Sequence, residues 1–227
     1  MQIKKLQLAV LAVGALASAA SVNAQVSGEI WGVNTGETIG LFNADPSNIP
    51  GGPGTTFNVP NGVLNFNQPN SNPPYTVGSF LATASAYNIA YNGTSYGDGG
   101  TSQTGDQPMA SGSTIDNTIM TLTGQVTLVN GQTYSVTHDD GVVVYVSGNP
   151  FISSPGPTPI DTTSAMWTGA SGTYPAEVIY VEDGGPPATL TSDFAINGST
   201  VPDAGTTLGL LGLSLTGLAA FARRFRK

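Results

Sequence analysis

From residue 125 onward the sequence alternates short β-branched and aromatic runs with breaks of Asn, Asp, Gly and Pro. Residues 125–129 alternate polar and apolar side chains, Asn130-Gly131 follows, and residues 133–138 then place Tyr134 and Val136 on one face. An Asn-Gly pair between two such runs predicts a β-hairpin, because both central positions of its turn need φ > 0. Asp139-Asp140-Gly141 predicts a second turn, residues 142–146 a further strand, and residues 147–150 its end. More strands are expected over 164–168, 174–181 and 188–194. Breaks at roughly 8–12-residue spacing predict an all-β fold, an antiparallel β-sandwich of jelly-roll type.

The first half is less regular. Residues 25–200 show no helical period, and residues 29–33 are expected to form the opening strand. Residues 43–75 are rich in Asn, Pro and Gly, with apolar islands at 57–59 and 63–66. Residues 75–91 are apolar enough for one or two strands. Residues 92–113 are Gly, Ser, Thr, Asp and Asn almost throughout and predict a long loop. The asymmetry predicts one ectodomain over 25–200, most clearly patterned at 124–194.

Charge separates this body from its ends. The basic residues are Lys4, Lys5, Arg223, Arg224, Arg226 and Lys227, and all fourteen carboxylates lie between Glu29 and Asp203. A body without cations cannot neutralise phosphates, which excludes nucleic acid as its partner. It has no Lys for a phosphate-binding loop, no Arg clamp and no Schiff-base lysine. With no Cys there is no disulfide, thiol nucleophile or thiolate metal site.

The two basic clusters read as addresses. Lys4 and Lys5, the apolar residues 6–17 and the small residues ending Val22-Asn23-Ala24 predict a signal helix over 1–24, cleaved between Ala24 and Gln25. At the other end, Val201-Pro202-Asp203-Ala204-Gly205 is a short turn-forming motif. Residues 206–222 are uncharged and rich in Leu, Gly and Ala. As a helix this run is about 25 Å long, at the short end of what crosses a bilayer. Arg223, Arg224, Arg226 and Lys227 then stay cytoplasmic by the positive-inside rule, with the body outside.

Motif, short span and basic end, in that order over 201–227, resemble the PEP-CTERM class of bacterial sorting tails, in its VPDSG-type variant. Ala204 departs from the Ser of that variant. The resemblance implies a Gram-negative envelope protein handled by an exosortase-type membrane enzyme that cuts near the motif. The span through 206–222 is then transient: an inner-membrane-anchored intermediate precedes the cell surface or extracellular matrix. A plain single-pass anchor is the other reading of the same residues.

His138-Asp139-Asp140-Gly141 carries the most chemistry. Adjacent carboxylates at a strand end resist joint ionisation, and a hard cation removes that cost. Ca²⁺ takes six to eight oxygens from carboxylates, amides and carbonyls, all abundant here. The plainer reading is that one Asp caps the turn while the other is solvated. His138 is the only His, so multi-histidine zinc sites are excluded, and no G-x-S-x-G elbow offers a Ser nucleophile. A local hydrogen bond is expected of His138. Glu182-Asp183-Gly184-Gly185 is a second acidic turn, read as a solvated loop that need not approach the first. Trp31 and Trp167 are expected to pack in the core.

The order of Tyr134-x-Val136-x-His138-Asp139-Asp140-Gly141, then Gly172-Thr173-Tyr174, then Ile179-Tyr180-Val181-Glu182 resembles the β-sandwich domain named after the anthrax protective antigen, also found in flocculin-type adhesins and glycosidase accessory domains. Val181 stands where that pattern has a second Tyr. In lectin members paired Asp residues bind Ca²⁺, which coordinates sugar hydroxyls, and the resemblance places that role on Asp139 and Asp140 only. The expectation is a non-catalytic surface or exopolysaccharide-matrix protein that associates with neutral glycans, with Ca²⁺ as its one candidate cofactor. The alternatives are a structural matrix protein without a ligand, and a glycosidase or its accessory module.

Overall fold

The computed structural model describes residues 25–33, 43–69, 75–93, 107–184 and 186–198. All of these lie in one compact unit, Gln25–Ser199. The predicted signal helix with Ala24, the motif 201–205, the span 206–222 and the basic end 223–227 fall outside the described residues.

Among the described residues twelve strands form: β1 (Val26–Gly32), β2 (Thr55–Val59), β3 (Gly62–Gln68), β4 (Tyr87–Ala90), β5 (Gln107–Pro108), β6 (Thr118–Leu128), β7 (Thr133–Asp139), β8 (Val142–Val146), β9 (Asn149–Ser154), β10 (Asp161–Met166), β11 (Gly172–Glu182) and β12 (Ala188–Asn197). Every pairing is antiparallel. One layer runs β3-β12-β7-β10. The other runs β9-β8-β11-β6-β1-β2-β4, with β5 beside the end of β1. The layers join where Ile196 and Asn197 of β12 pair with Val126 and Gln125 of β6. The fold is the expected antiparallel β-sandwich.

The core fills the space between the layers. Tyr134, Val136, Leu190 and Phe66 come from one layer, and Val142, Val144, Val178, Tyr180, Met120 and Leu122 from the other. A second cluster covers the outer face of the larger layer. There Val143, Ile179, Val181 and Ile119 meet Trp31, Val33 and Ala44. The run 142–146 is apolar without alternation because β8 is buried on both faces.

Asn130-Gly131 does not close the expected hairpin. Gly131 has φ +80°, as the turn requires, but β6 pairs with β1, β11 and β12, whereas β7 pairs with β10 and β12. The turn instead carries the chain from one layer to the other. Facing the apolar sides of β6 and β7 across the core buries Leu128, Tyr134 and Val136 together, which a flat two-strand hairpin cannot do. Asp139-Asp140-Gly141 crosses between layers in the same way, from β7 to β8.

Three other expectations change. Residues 75–91 yield one helix, α1 (Val77–Thr83), and only one strand, β4. Thr76 and Ser79 form a reciprocal capping box, and Val77, Phe80 and Leu81 supply one buried face at i, i+3, i+4. Of the expected loop over 92–113, residues 94–106 lie outside the described residues, while 107–113 are tied to the body: β5 pairs with β1, Met109 and Ser113 are buried, and the Met109 carbonyl accepts the Thr55 hydroxyl. β9 forms where the chain was expected to turn away. Its Pro150 is tolerated because β9 is an edge strand pairing only with β8, at an irregularity in register.

Candidate functional site

The site is the acidic pole where β7 passes to β8. An aromatic row leads through the core toward it. Phe66 stacks on Phe80 at 5.2 Å between ring centroids, and Phe80 stacks on Tyr180 at 5.9 Å. Burying Tyr180 this way fixes its hydroxyl beneath the turn.

Asp139 and Asp140 are 7% and 8% exposed, so neither is the solvated partner of a simple turn. The peptide between them is cis. Asp140 Oδ1 accepts the Thr158 amide at 3.0 Å, and Oδ2 accepts the Asp183 amide at 2.7 Å. The Asp139 carboxylate accepts the Ile160 amide. The two main-chain carbonyls are engaged as well. His138 Nδ1–H donates to the Asp140 carbonyl, and the Tyr180 hydroxyl donates to the Asp139 carbonyl. His138 Nε2 meets Thr163 Oγ1 at 2.9 Å, so the sole His makes the local bonds expected of it. A Cβ on Gly141 would overlap the Pro155 carbonyl, which is why glycine stands where the turn presses on residues 155–160.

The second acidic turn does reach the first, against expectation. β11 runs under the pole, and the Val181 amide donates to the Gly141 carbonyl at 2.9 Å. That contact delivers the Asp183 amide to Asp140. It also buries Glu182 completely, with Tyr180 Oη 2.8 Å from its Oε2 and no hydrogen-bond partner for its Oε1. A phenol has one hydrogen. Since Tyr180 gives it to the Asp139 carbonyl, Glu182 must be the donor in the second bond, and it is protonated.

The electrostatics agree. Burial, reinforced by Asp140, Asp139 and Asp116, pushes the Glu182 carboxyl up to about 10. Burial and then the Asp140 charge push Asp139 up to about 6. Burial raises Asp140 too, opposed by the Asp183 and Thr158 amides. No Lys or Arg exists between residues 6 and 222, so no salt bridge from a Lys or Arg of the body can offset these charges.

Three remedies remain: amide dipoles, protonation or an added cation. The pole uses the first two. The donor set also fits a hard cation, since the free lone pairs are all on oxygen and the one imidazole is occupied on both nitrogens. Among the described residues, no group of three or more His, Asp or Glu side chains is disposed to hold a metal. A cation here would take two carboxylates and leave positions open for carbonyls, water or a ligand's hydroxyls.

Asp139 and Asp140 were legible as a pair, and Gln25 opens the described body next to β1. Thr158, Ile160 and Thr163 were not legible, because their contributions come from a loop and an edge strand without a sequence pattern. Of the tryptophans, Trp31 is core at 4% exposure, whereas Trp167 is only half-buried and lies just beyond β10.

The fold and site define a cation-free antiparallel sandwich with a buried acidic turn at one end. Residues 200–225 match the family model described as the VPDSG-CTERM motif, so the chain carries that sorting motif at its C-terminus. Among solved structures, the chain is similar to the PA14 domain of the MpAFP antifreeze protein, at 18% identity and TM-score 0.49 over 79% of this chain and 93% of that one. It is similar to the PA14 sugar-binding domain from an RTX adhesin, at 16% identity and TM-score 0.48 over 79% and 100%. The Epithelial Adhesin 9 A domain from Candida glabrata, solved in complex with Galb1-4GlcNAc, follows at 11% and 0.38 over 78% and 82%. These are likenesses of fold, and no residue role is carried across from them. No curated protein sequence matches the chain significantly.

Proposed function

We propose that this is an exported, non-catalytic surface or matrix protein whose sandwich associates with neutral glycans through a Ca²⁺ site at Asp139 and Asp140. One observation carries the reading: two nearly buried carboxylates, both with raised pKa, in a body that has no Lys or Arg to pair with them. The residues of this chain would hold the ion and fix its direction. The Thr158, Ile160 and Asp183 amides clamp the carboxylates, and His138 and Tyr180 clamp the intervening carbonyls. The ion would supply charge compensation and open positions for sugar hydroxyls. A body of thirteen carboxylates favours neutral over anionic polymers. The sorting motif supports export and processing by an exosortase-type membrane enzyme, with a transient inner-membrane stage in a Gram-negative envelope.

The test uses the full chain in a detergent without a sugar headgroup, applied to an array of neutral polysaccharides with Ca²⁺ or with chelator. The expected result is a Ca²⁺-dependent component of binding that disappears in Asp140→Asn. Binding that is identical in Ca²⁺, in chelator and in Asp140→Asn overturns the reading.

A further inference from the structure

The opposite pole of the sandwich carries a second feature, unrelated to the acidic turn. β10 runs antiparallel to β7, with Asp161 opposite His138 and Met166 opposite Thr133. Met166 therefore lies at the far end of β7 from Asp139, about 20 Å away at about 3.3 Å per residue. There the turn from β8 to β9 and the residues following β10 border a groove of about 340 Å³, and its walls include Phe151, Trp167, Tyr174, Met166, Asn149 and Thr168.

Its aromatic walls are held in place before any ligand arrives. Phe151 and Trp167 meet edge to face at 5.4 Å and 89°, and Trp167 and Tyr174 are tilted at 5.1 Å and 54°. The Trp167 indole N–H and the Tyr174 hydroxyl both donate to the Ala170 carbonyl, at 2.8 and 2.7 Å. Only glycine fits at 169, since a Cβ there would overlap the indole. Rings fixed in this way bind at little entropic cost. Three aromatic rings remain half-exposed, and Met166 is 58% exposed.

We infer that this groove is a second binding site, for the apolar face of a neutral polysaccharide, and that it works without a metal. Charge selects the occupant. No Asp, Glu or His lines the groove and no Lys or Arg exists in the body, so an anionic ligand finds no counter-charge there and a cationic one no carboxylate. Aromatic rings offer a pyranose its C–H contact, and Asn149, Ser147 and Thr168 offer neutral hydrogen-bonding groups to its hydroxyls. The inference shares its ligand class with the proposed function but not its residues. Two sites at opposite poles would let one domain bridge two polymer chains.

The test exploits the two tryptophans, of which only Trp167 is accessible. The full chain, in chelator and in a detergent without a sugar headgroup, is titrated with malto-, cello-, laminari-, manno- and xylo-hexaose while Trp emission is read. The expected result is a saturable change with at least one hexaose, weakened about tenfold or more in Met166→Glu and unchanged in Asp140→Asn. Met166 is 58% exposed, so Met166→Glu is expected to fold as the wild type does, which its circular-dichroism melt checks. No response to any hexaose, or a response that survives Met166→Glu, overturns the inference. So does a response that needs Ca²⁺ or Asp140, since it then belongs to the acidic pole. An emission change that depends on protein concentration without sugar and is abolished by Met166→Glu also overturns it, because a second copy would then cover the groove.

Discussion

Glu182 offers the sharpest perturbation. It is fully buried beneath the turn, and its carboxyl is pushed from an ordinary 4.5 up to about 10. Between those values the folded protein keeps the proton and the unfolded chain releases it, so stability must fall as pH rises. From pH 4.5 to pH 7 this amounts to roughly 3 kcal/mol, at about 1.4 kcal/mol per pH unit. Glu182→Gln keeps the shape and the donor to Tyr180 but has no proton to lose. At pH 7 it should be more stable by up to about 3 kcal/mol, which in a domain of this size is roughly 6–12 °C in Tm. The assay is urea unfolding of the full chain by circular dichroism, in chelator, from pH 5 to pH 9. Asp139 and Asp140 are shifted in the same direction, so the difference between wild type and variant isolates Glu182. A wild-type stability that stays flat or rises over this range refutes the reasoning, as does a variant that keeps the wild-type slope.

The remaining predictions concern the same pole. Tyr180→Phe leaves the Asp139 carbonyl and the Glu182 proton without their partner, and it should cost about 2–6 kcal/mol at roughly 1–3 per buried group. An unchanged melting temperature would contradict the bond assignment. Gly141→Ala drives a methyl into the Pro155 carbonyl and should cost about 1–3 kcal/mol while loosening residues 155–160. Limited proteolysis confined to that loop would report it, and wild-type resistance would count against the packing. Any Ca²⁺-dependent rise in Tm should weaken below about pH 6, where Asp139 takes up its proton. A Ca²⁺ response independent of pH would remove Asp139 from the site.

Much of the fold follows from patterns of two and of turns. β8 begins and ends where its β-branched run does, and the alternation around Tyr134 and Val136 fixes which face of β7 enters the core. What the pattern leaves open is partner choice. Asn130-Gly131 specifies a turn, yet whether the next strand pairs locally or crosses the core depends on β11 and β12, which arrive more than 40 residues later. α1 spans only seven residues, so its Val77, Phe80, Leu81 spacing and its Thr76–Ser79 cap make a signal too short to stand out in the sequence. The acidic pole divides the same way. Asp139 and Asp140 stand out because they are adjacent and follow a strand. Glu182 looks like a turn residue until the register of β11 on β6 and β8 puts it inside. The amides of Thr158 and Ile160 have no side-chain signature at all.

The central claim is that the Asp139–Asp140 turn takes the cation that this body cannot supply from its own side chains. Calorimetric titration of the full chain with CaCl₂ at pH 7.5, repeated on Asp139→Asn and Asp140→Asn, tests it most directly. The account predicts saturable binding in the wild type alone. It also predicts a gain of about 2.7 kcal/mol in unfolding free energy when Ca²⁺ is at about 100 times Kd. No heat and no stabilisation at millimolar Ca²⁺, or equal binding by all three proteins, would contradict it.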